Sequence, residues 1–247
     1  MRMLLLSNST NHGETFLAHA RERIAEFARG EPVSFVPFAL ADWDGYTERV
    51  RNALGLEVVG VHRDGQPARA IAEARCLFVG GGNTFLLLDA LYRLGVLEVL
   101  RRRVRSGELA YAGASAGTNV AAPTIRTTND MPIVDPPGLA ALGLVPFQIN
   151  PHYVDADPGS TLMAETRAER LAQFLEVSDV AVVALYEGAW IEIDGDDRRI
   201  GGKNGALVFH RGGTERLGMS ADLDRWWRQG SFDVDRVRFD GAPGPVG

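Results

Sequence analysis

A three-layer α/β fold is what this sequence predicts, with a mostly parallel sheet flanked by helices and antiparallel strands toward the C-terminus. Two patterns carry that expectation. Short apolar runs of strand length alternate with segments of helical period, which implies parallel pairing through right-handed crossovers and helices on both sheet faces. Two glycine-rich turns, "GGGNT" and "GASAG", directly follow strand-like runs. In such folds ligands gather outside the carboxyl ends of the strands. A chain of 247 residues, 45% hydrophobic and 23% charged, has enough apolar material for one sizeable core.

The elements follow in order. "MLLLSNS" reads as a strand. Residues 13–30, "GETFLAHARERIAEFARG", read as a helix with Phe16, Leu17, Ala20, Ile24 and Phe27 along one face. Strand "VSFVPFAL", helix "YTERVRNALG", strand "EVVGVH" and helix "PARAIAEA" come next. "CLFVGGG" leads into one long helix, expected from Asn83 or Thr84 to about Ser106 and ended by Gly107. "LAYAGAS" is a strand running into the helical "AGTNVAA". After strand "PFQINPH" the chain continues through helix "AETRAERLAQFLEV", strand "VAVVALYEG" and the alternating "AWIEIDGD". "GGKNGALVFHRGG" reads as a further antiparallel turn-and-strand piece. The expected division is one α/β domain over 1–220 and a C-terminal extension over 221–247, ending in a loose tail, "APGPVG". Two uses stay open for Trp226 and Trp227 in the extension: cover for a core edge, or contact in a homodimer.

Net charge is −6, and the one dense basic run, "RRRVR" at 101–105, falls at a helix C-terminus where cations complement the dipole. Nucleic acid is therefore not an expected partner. The lone cysteine, Cys76, excludes an intramolecular disulfide and points to a reducing cytoplasm. "MRMLLLSNST" has too short an apolar run for a signal peptide. No segment approaches the ~18 uninterrupted apolar residues of a membrane span, so no membrane partner is expected.

The chemistry concentrates at "AGASAG", which fits G-x-S-x-G with the strand before and helix after that this pattern demands. Small neighbours are needed because the turn is strained and crowded, and it lifts the Ser115 hydroxyl above the sheet. A serine nucleophile needs a base, and the base needs an orienting partner. Of five histidines, His152 in "QINPHY" stands out, just beyond a strand end with a proline fixing the approach. Candidate orienters are Glu187 in "LYEGAW" and Asp130 in "RTTNDMPI". The three glycines of "VGGGNTF" let backbone N–H groups face a ligand, as in a phosphate cradle or an oxyanion hole. Neither a Walker A motif nor the G-x-G-x-x-G spacing is present there, which argues against nucleotide binding.

Taken in order, "GGGNTF", "YAGASAGTNVAAPTIRTTNDMPI", "QINPHY", "ETRAERL" and "LYEG" resemble the peptidase E (aspartyl dipeptidase) family, over roughly 4–207. That family is related in fold to class I glutamine amidotransferases but carries serine at the elbow. The resemblance implies Ser115 as nucleophile, His152 as base and Glu187 as third member. Asp130 matches a family acid that either orients the histidine or shapes the site, and Glu187 is the favoured orienter because it ends a strand as Ser115 and His152 do. It implies hydrolysis of short peptides with an N-terminal aspartate, without metal or cofactor. The oxyanion would meet the N–H of Ala116 and one from Gly81 or Gly82. Arg167, in "ETR", matches the arginine assigned to the substrate's acidic side chain, and Asn83 and Arg126 complete the expected substrate-binding set. This chain departs from the family pattern in carrying Ala114 for tryptophan and Tyr186 for proline, and in the form of the loop "VDADPGSTLMA". A smaller residue at 114 is expected to widen the pocket.

Three rivals share some of these features. A cyanophycinase-like or broader serine hydrolase on the same scaffold would keep the same site. An ordinary α/β-hydrolase esterase follows the order Ser, acid, His, whereas here His152 precedes Glu187. A non-catalytic amidotransferase-like binding domain would keep the glycine turns but would not require a base at 152.

Overall fold

The structure is a computed structural model describing residues 1–157, 159 and 164–230. Its first half runs β1 (Arg2–Leu6), a 3-10 turn (Ala18–Ala20), α1 (Arg21–Ala28), β2 (Val33–Val36), α2 (Trp43–Leu54), β3 (Val58–Gly60), α3 (Pro67–Glu73) and β4 (Cys76–Val79). Then come α4 (Thr84–Arg93), α5 (Leu97–Arg105), β5 (Ala110–Ala114), the short α6 (Ala116–Asn119) and β6 (Gln148–Tyr153). The rest comprises α7 (Arg167–Glu176), β7 (Val182–Tyr186), β8 (Ala189–Asp194), β9 (Asp197–Gly202), β10 (Ala206–His210), β11 (Gly213–Leu217) and α8 (Asp224–Gln229).

The strands divide between two sheets. Seven form the order β3-β2-β4-β5-β1-β8-β9, and four form β11-β10-β7-β6. Pairing among β1 to β5 is parallel, as is β6 with β7, while β8 to β11 pair antiparallel. The expected mostly parallel, helix-flanked sheet is present. What the sequence pattern did not reveal is that β6 and β7 belong to a separate sheet.

β1 shows how the layers are set. Its side chains alternate, so Met3 and Leu5 join the core with residues of α3, α4 and α5, while Leu4 and Leu6 join the opposite core with α1 and α2. All four are fully buried, each contributing about 1.5–3 kcal/mol of apolar burial. Tyr153, Leu171, Val182 and Phe209 form a third cluster, where α7 covers the four-stranded sheet. Trp226 is buried in the core that holds Met3, and Trp227 packs at its edge against Phe147. The tail "APGPVG" lies outside the described residues.

Two expected helices are shorter than their patterns. Leu17 stands at φ 60, so the helix expected over 13–30 starts only after it. The helix expected over 83–106 is two helices. At the break, Gly95 adopts φ 64, its N–H donates to Tyr92 O, and the N–H of Val96 donates to Leu91 O. This pair of hydrogen bonds is a Schellman motif, and it needs a left-handed residue. A Cβ on Gly95 meets nothing within 4 Å, so Gly95→Ala is expected to cost about 1 kcal/mol through backbone strain alone. A urea titration checks this, and an unchanged midpoint would contradict it. The basic run ends α5, where Arg101 donates to Leu142 O and Ala141 O, Arg103 to Ile71 O and Ala74 O, and Arg105 to Gly143 O. These arginines tie loops to the helix.

Candidate active site

The strand-to-helix turn at Ser115 is as sharp as the small residues around it suggest. Ser115 has φ 54 and ψ −111, a conformation that costs on the order of 1–3 kcal/mol. The surrounding structure enforces it. The Ser115 N–H donates to Leu6 O at 3.1 Å, and its carbonyl accepts from Thr118 N and Asn119 N at 2.9 and 2.8 Å. The flanking glycines permit close approach of main chains. A Cβ on Gly113 would lie 2.5 Å from Gly117 O, and one on Gly117 would lie 2.2 Å from Val79 O. Ala114, by contrast, is buried with Leu4, Leu6 and Phe78 in the core. It packs the interior, so the expectation that it widens the pocket does not hold.

His152 sits in an irregularity of β6. Between the pairs Asn150–Ala184 and Tyr153–Tyr186, β6 carries one extra residue, and His152 adopts φ 56. Such a bulge re-aims a side chain. Here it brings Nε2 to 2.8 Å from Ser115 Oγ. Nδ1 lies 2.9 Å from Glu187 Oε1. A carboxylate can only accept, so the neutral ring donates through Nδ1–H and leaves Nε2 to accept the serine proton. Glu187 follows β7 directly and begins the tight turn into β8, where the two sheets meet. The imidazole and the carboxylate stay 35% and 45% exposed, so both are open to a ligand.

Asp130 takes a different place. Its Oδ2 accepts from Thr84 N at 2.7 Å, Thr84 Oγ1 at 2.5 Å and Thr128 Oγ1 at 3.2 Å. Thr84 opens α4, so this carboxylate serves a helix N-terminus, where amides and dipole both favour an anion. The orienting bond to His152 comes from Glu187, and Asp130 as orienter is set aside. Asn83 caps the same helix by accepting from Leu86 N, and it donates to Met131 O. Arg126 is exposed on the loop that follows α6.

Gly81 packs directly on Ser115, since a Cβ there would come within 3.0 Å of Ser115 Cβ and 3.6 Å of Oγ. Burial pushes the Tyr46 hydroxyl up to about 12, with a backbone hydrogen bond from Gly81 pulling the other way. Gly82 follows at φ 138. Ala116 begins α6, so its N–H belongs to the first turn of a helix, where amides lack intrahelical acceptors.

Arg167 is the first residue of α7, a position where a cation opposes the helix dipole. Helix stability therefore does not explain it. Neither neighbouring acid takes it up: Glu169 closes a capping box with Thr166, and Glu165 pairs with Arg170 and Gln173. Burial, then Arg170, holds the Arg167 guanidinium below its ordinary value, while Glu187, Asp130 and Tyr153 pull the other way. The guanidinium thus sits within electrostatic reach of both site carboxylates. Part of the loop before it, "VDADPGSTLMA", lies outside the described residues at 158 and 160–163. At the loop's start, Tyr186 OH donates to the Asp155 carboxylate at 2.9 Å. Burial, then that acid, pushes the Tyr186 hydroxyl up to about 12, so it stays a donor that ties the chain after His152 to the strand before Glu187.

Reading the sequence for chemistry passed over the polar residues that hold β6 in place. Asn119 and Thr127 both donate to Ile149 O. Asn150 donates to Thr127 O and Asn129 Oδ1, and Asn129 to Pro151 O. Asn119, Thr127 and Asn150 are buried, and buried polar groups require partners. Asparagines within apolar runs were the available signal. They explain why "PTIRTTND" is so unlike a loop chosen for solubility.

A strained serine, an imidazole and a carboxylate, joined in series at the carboxyl edge of an α/β sheet, are the equipment of a serine-type hydrolase. Comparison narrows the class: residues 3–201 match peptidase family S51, and the chain belongs to that family. A relative named Peptidase E from Streptomyces coelicolor is 54% identical over 240 residues, 95% of this chain and 98% of that protein. A Drosophila melanogaster relative named probable alpha-aspartyl dipeptidase is 46% identical over 228 residues, covering 90% and 95%. Among solved structures, a putative peptidase E protein from Listeria monocytogenes EGD-e aligns with a TM-score of 0.58 at 24% identity, covering 88% of this chain and 98% of that one. A peptidase from an acI-B1 Actinobacterium aligns at 0.65 and 15%, covering 89% and 95%. At those identities the two structures speak to the fold alone. No helix among the described residues is long and apolar enough to cross a membrane.

Proposed function

We propose that this family S51 peptidase cleaves the bond after an N-terminal aspartate in short peptides, chiefly Asp-X dipeptides. The observation that carries the reading is the unbroken series of contacts from Ser115 Oγ to His152 Nε2 and from Nδ1 to Glu187, at 2.8 and 2.9 Å. Ser115 attacks the aspartyl carbonyl carbon while His152 takes its proton, and Glu187 stabilises the imidazolium that forms. The tetrahedral oxyanion is received by the N–H of Ala116 and by one from the glycine turn. The donor from that turn is Gly81 or Gly82. Each such donor is worth about 3 kcal/mol of barrier. His152 then protonates the leaving amine, and water releases the acyl group by the same steps reversed.

Arg167 supplies the acidic preference, because a planar guanidinium matches a carboxylate in a bidentate fork. The names carried by the relatives from Streptomyces coelicolor and Drosophila melanogaster support the same substrate class. Asn83 and Arg126 are proposed as further substrate contacts. The setting is cytoplasmic, in keeping with the single buried thiol of Cys76.

A dipeptide panel tests the proposal. Asp-Leu is expected to be cleaved well, with Asn-Leu, Ala-Leu and β-aspartyl-leucine poor substrates. Equal turnover of all four would remove the aspartyl assignment. Arg167→Ala is expected to raise KM for Asp-Leu about 30-fold, the equivalent of the ~2 kcal/mol of a charge-assisted hydrogen bond. An unchanged KM would move substrate recognition to another residue.

A further inference from the structure

The three members of the catalytic series come from different sheets. Ser115 follows β5 in the seven-stranded sheet, whereas His152 and Glu187 belong to β6 and the end of β7 in the four-stranded sheet. The Ser115–His152 distance is therefore a distance between sheets, and ladder hydrogen bonds within either sheet do not set it. Among the described residues, buried Asn119 crosses from α6 to Ile149 O of β6, and Ser7 crosses to His152 itself. Ser7, fully buried just past the end of β1, accepts the His152 N–H on its Oγ at 2.9 Å and donates that hydroxyl to Leu185 O at 2.9 Å. Its own N–H donates to Ala189 O at 2.9 Å. The neighbours of Ser7 complete the arrangement. Leu6 O accepts the Ser115 N–H, and Asn8 Oδ1 accepts the N–H of Gly188, next to Glu187, at 2.8 Å.

The bulge explains why the hydroxyl is needed. At φ 56 the His152 amide points out of the β6–β7 ladder, and Ser7 Oγ is its acceptor. We propose that Ser7 is a positioning residue for catalysis, a buried hydroxyl that bolts the two sheets together and sets the height of His152 over Ser115. The role rests on the Ser115–His152–Glu187 reading above. Ser7 touches no substrate. Without its oxygen, the His152 N–H and the Leu185 carbonyl lose a buried partner, and the imidazole is free to shift. A displacement of ~1 Å at a reacting group costs on the order of 100-fold.

The test measures two rates, kcat on Asp-Leu and the labelling of Ser115 by a fluorophosphonate, which needs no peptide. For Ser7→Ala both are expected to fall about 30-fold with KM within twofold, because Arg167 does not move. Ser7→Thr and Ser7→Val each add a methyl group, but only the first keeps a hydroxyl, so only the first is expected to retain most of the labelling rate. A folded Ser7→Ala labelled as fast as wild type overturns the role, as does equal loss in the Thr and Val variants. If Ser7→Ala does not fold, the Ser7→Thr rate decides: near wild type it supports the role, and a 30-fold loss in a folded protein ends it. Wild type that is not labelled at Ser115 removes the underlying site reading instead, and the Ser7 role with it.

Discussion

Ser115→Ala is expected to lower kcat for Asp-Leu by about 10⁵- to 10⁶-fold, the scale seen when a triad nucleophile is removed, while leaving the fold intact. Among the described residues the hydroxyl makes one side-chain hydrogen bond, to His152, so its loss costs little stability. Backbone strain at this position gives a second arm to the experiment. Ser115 holds φ 54, where a side chain is disfavoured and glycine is not. Ser115→Gly is therefore expected to be as inactive as the alanine variant but more stable than wild type by about 1 kcal/mol, or roughly 2–4 °C in Tm for a chain of this size. Steady-state kinetics and a thermal melt on the same samples check both. Residual turnover above ~1% would remove Ser115 as nucleophile, and a Tm for Ser115→Gly below that of Ser115→Ala would contradict the strain argument.

The second large effect separates two carboxylates. Glu187→Gln is expected to lower kcat by about 10⁴-fold, because an amide can hold the imidazole in the wrong tautomer and cannot stabilise its charged form. Asp130→Asn removes a charge from the start of α4, where the carboxylate meets Thr84 N, Thr84 Oγ1 and Thr128 Oγ1. Its expected signature is a stability loss of about 1 kcal/mol with kcat within about tenfold of wild type. Measuring kcat and denaturation midpoints for both variants settles the assignment. A larger kcat loss in Asp130→Asn than in Glu187→Gln would reverse it.

These residues differ in how legible they were. The elbow at Ser115 could be read because it needs a local arrangement, small residues on both sides of a strand-to-helix turn, and local sterics are written in adjacent residues. His152 is less clear, since a proline-preceded histidine at a strand end serves as a structural hydrogen-bonder in many proteins, and only the resemblance to the family favours a base there. Glu187 is favoured over Asp130 because it ends a strand as Ser115 and His152 do, but the turn settings of both acids leave the choice open, since it depends on which strand lies beside β6. Arg167 is singled out by the resemblance, and the competing reading, a helix arginine paired with Glu165 or Glu169, loses ground because both acids have other partners. The helix break at Gly95 had a signal, a glycine within the apolar pattern, but periodicity on both sides outweighed it.

Along the chain, then, periodicity and turn chemistry decided the elements, their alternation and the elbow at Ser115, since these depend on contacts between residues near in sequence. Only the folded chain decided that β6 and β7 form a second sheet, that Glu187 rather than Asp130 faces His152, and that Ser7 lies beneath them. Those outcomes are long-range: Ser7 and Leu185 are 178 residues apart. A hydrogen bond of that span leaves no periodicity to read, because its geometry is set by how the sheets pack and not by the residues that flank it.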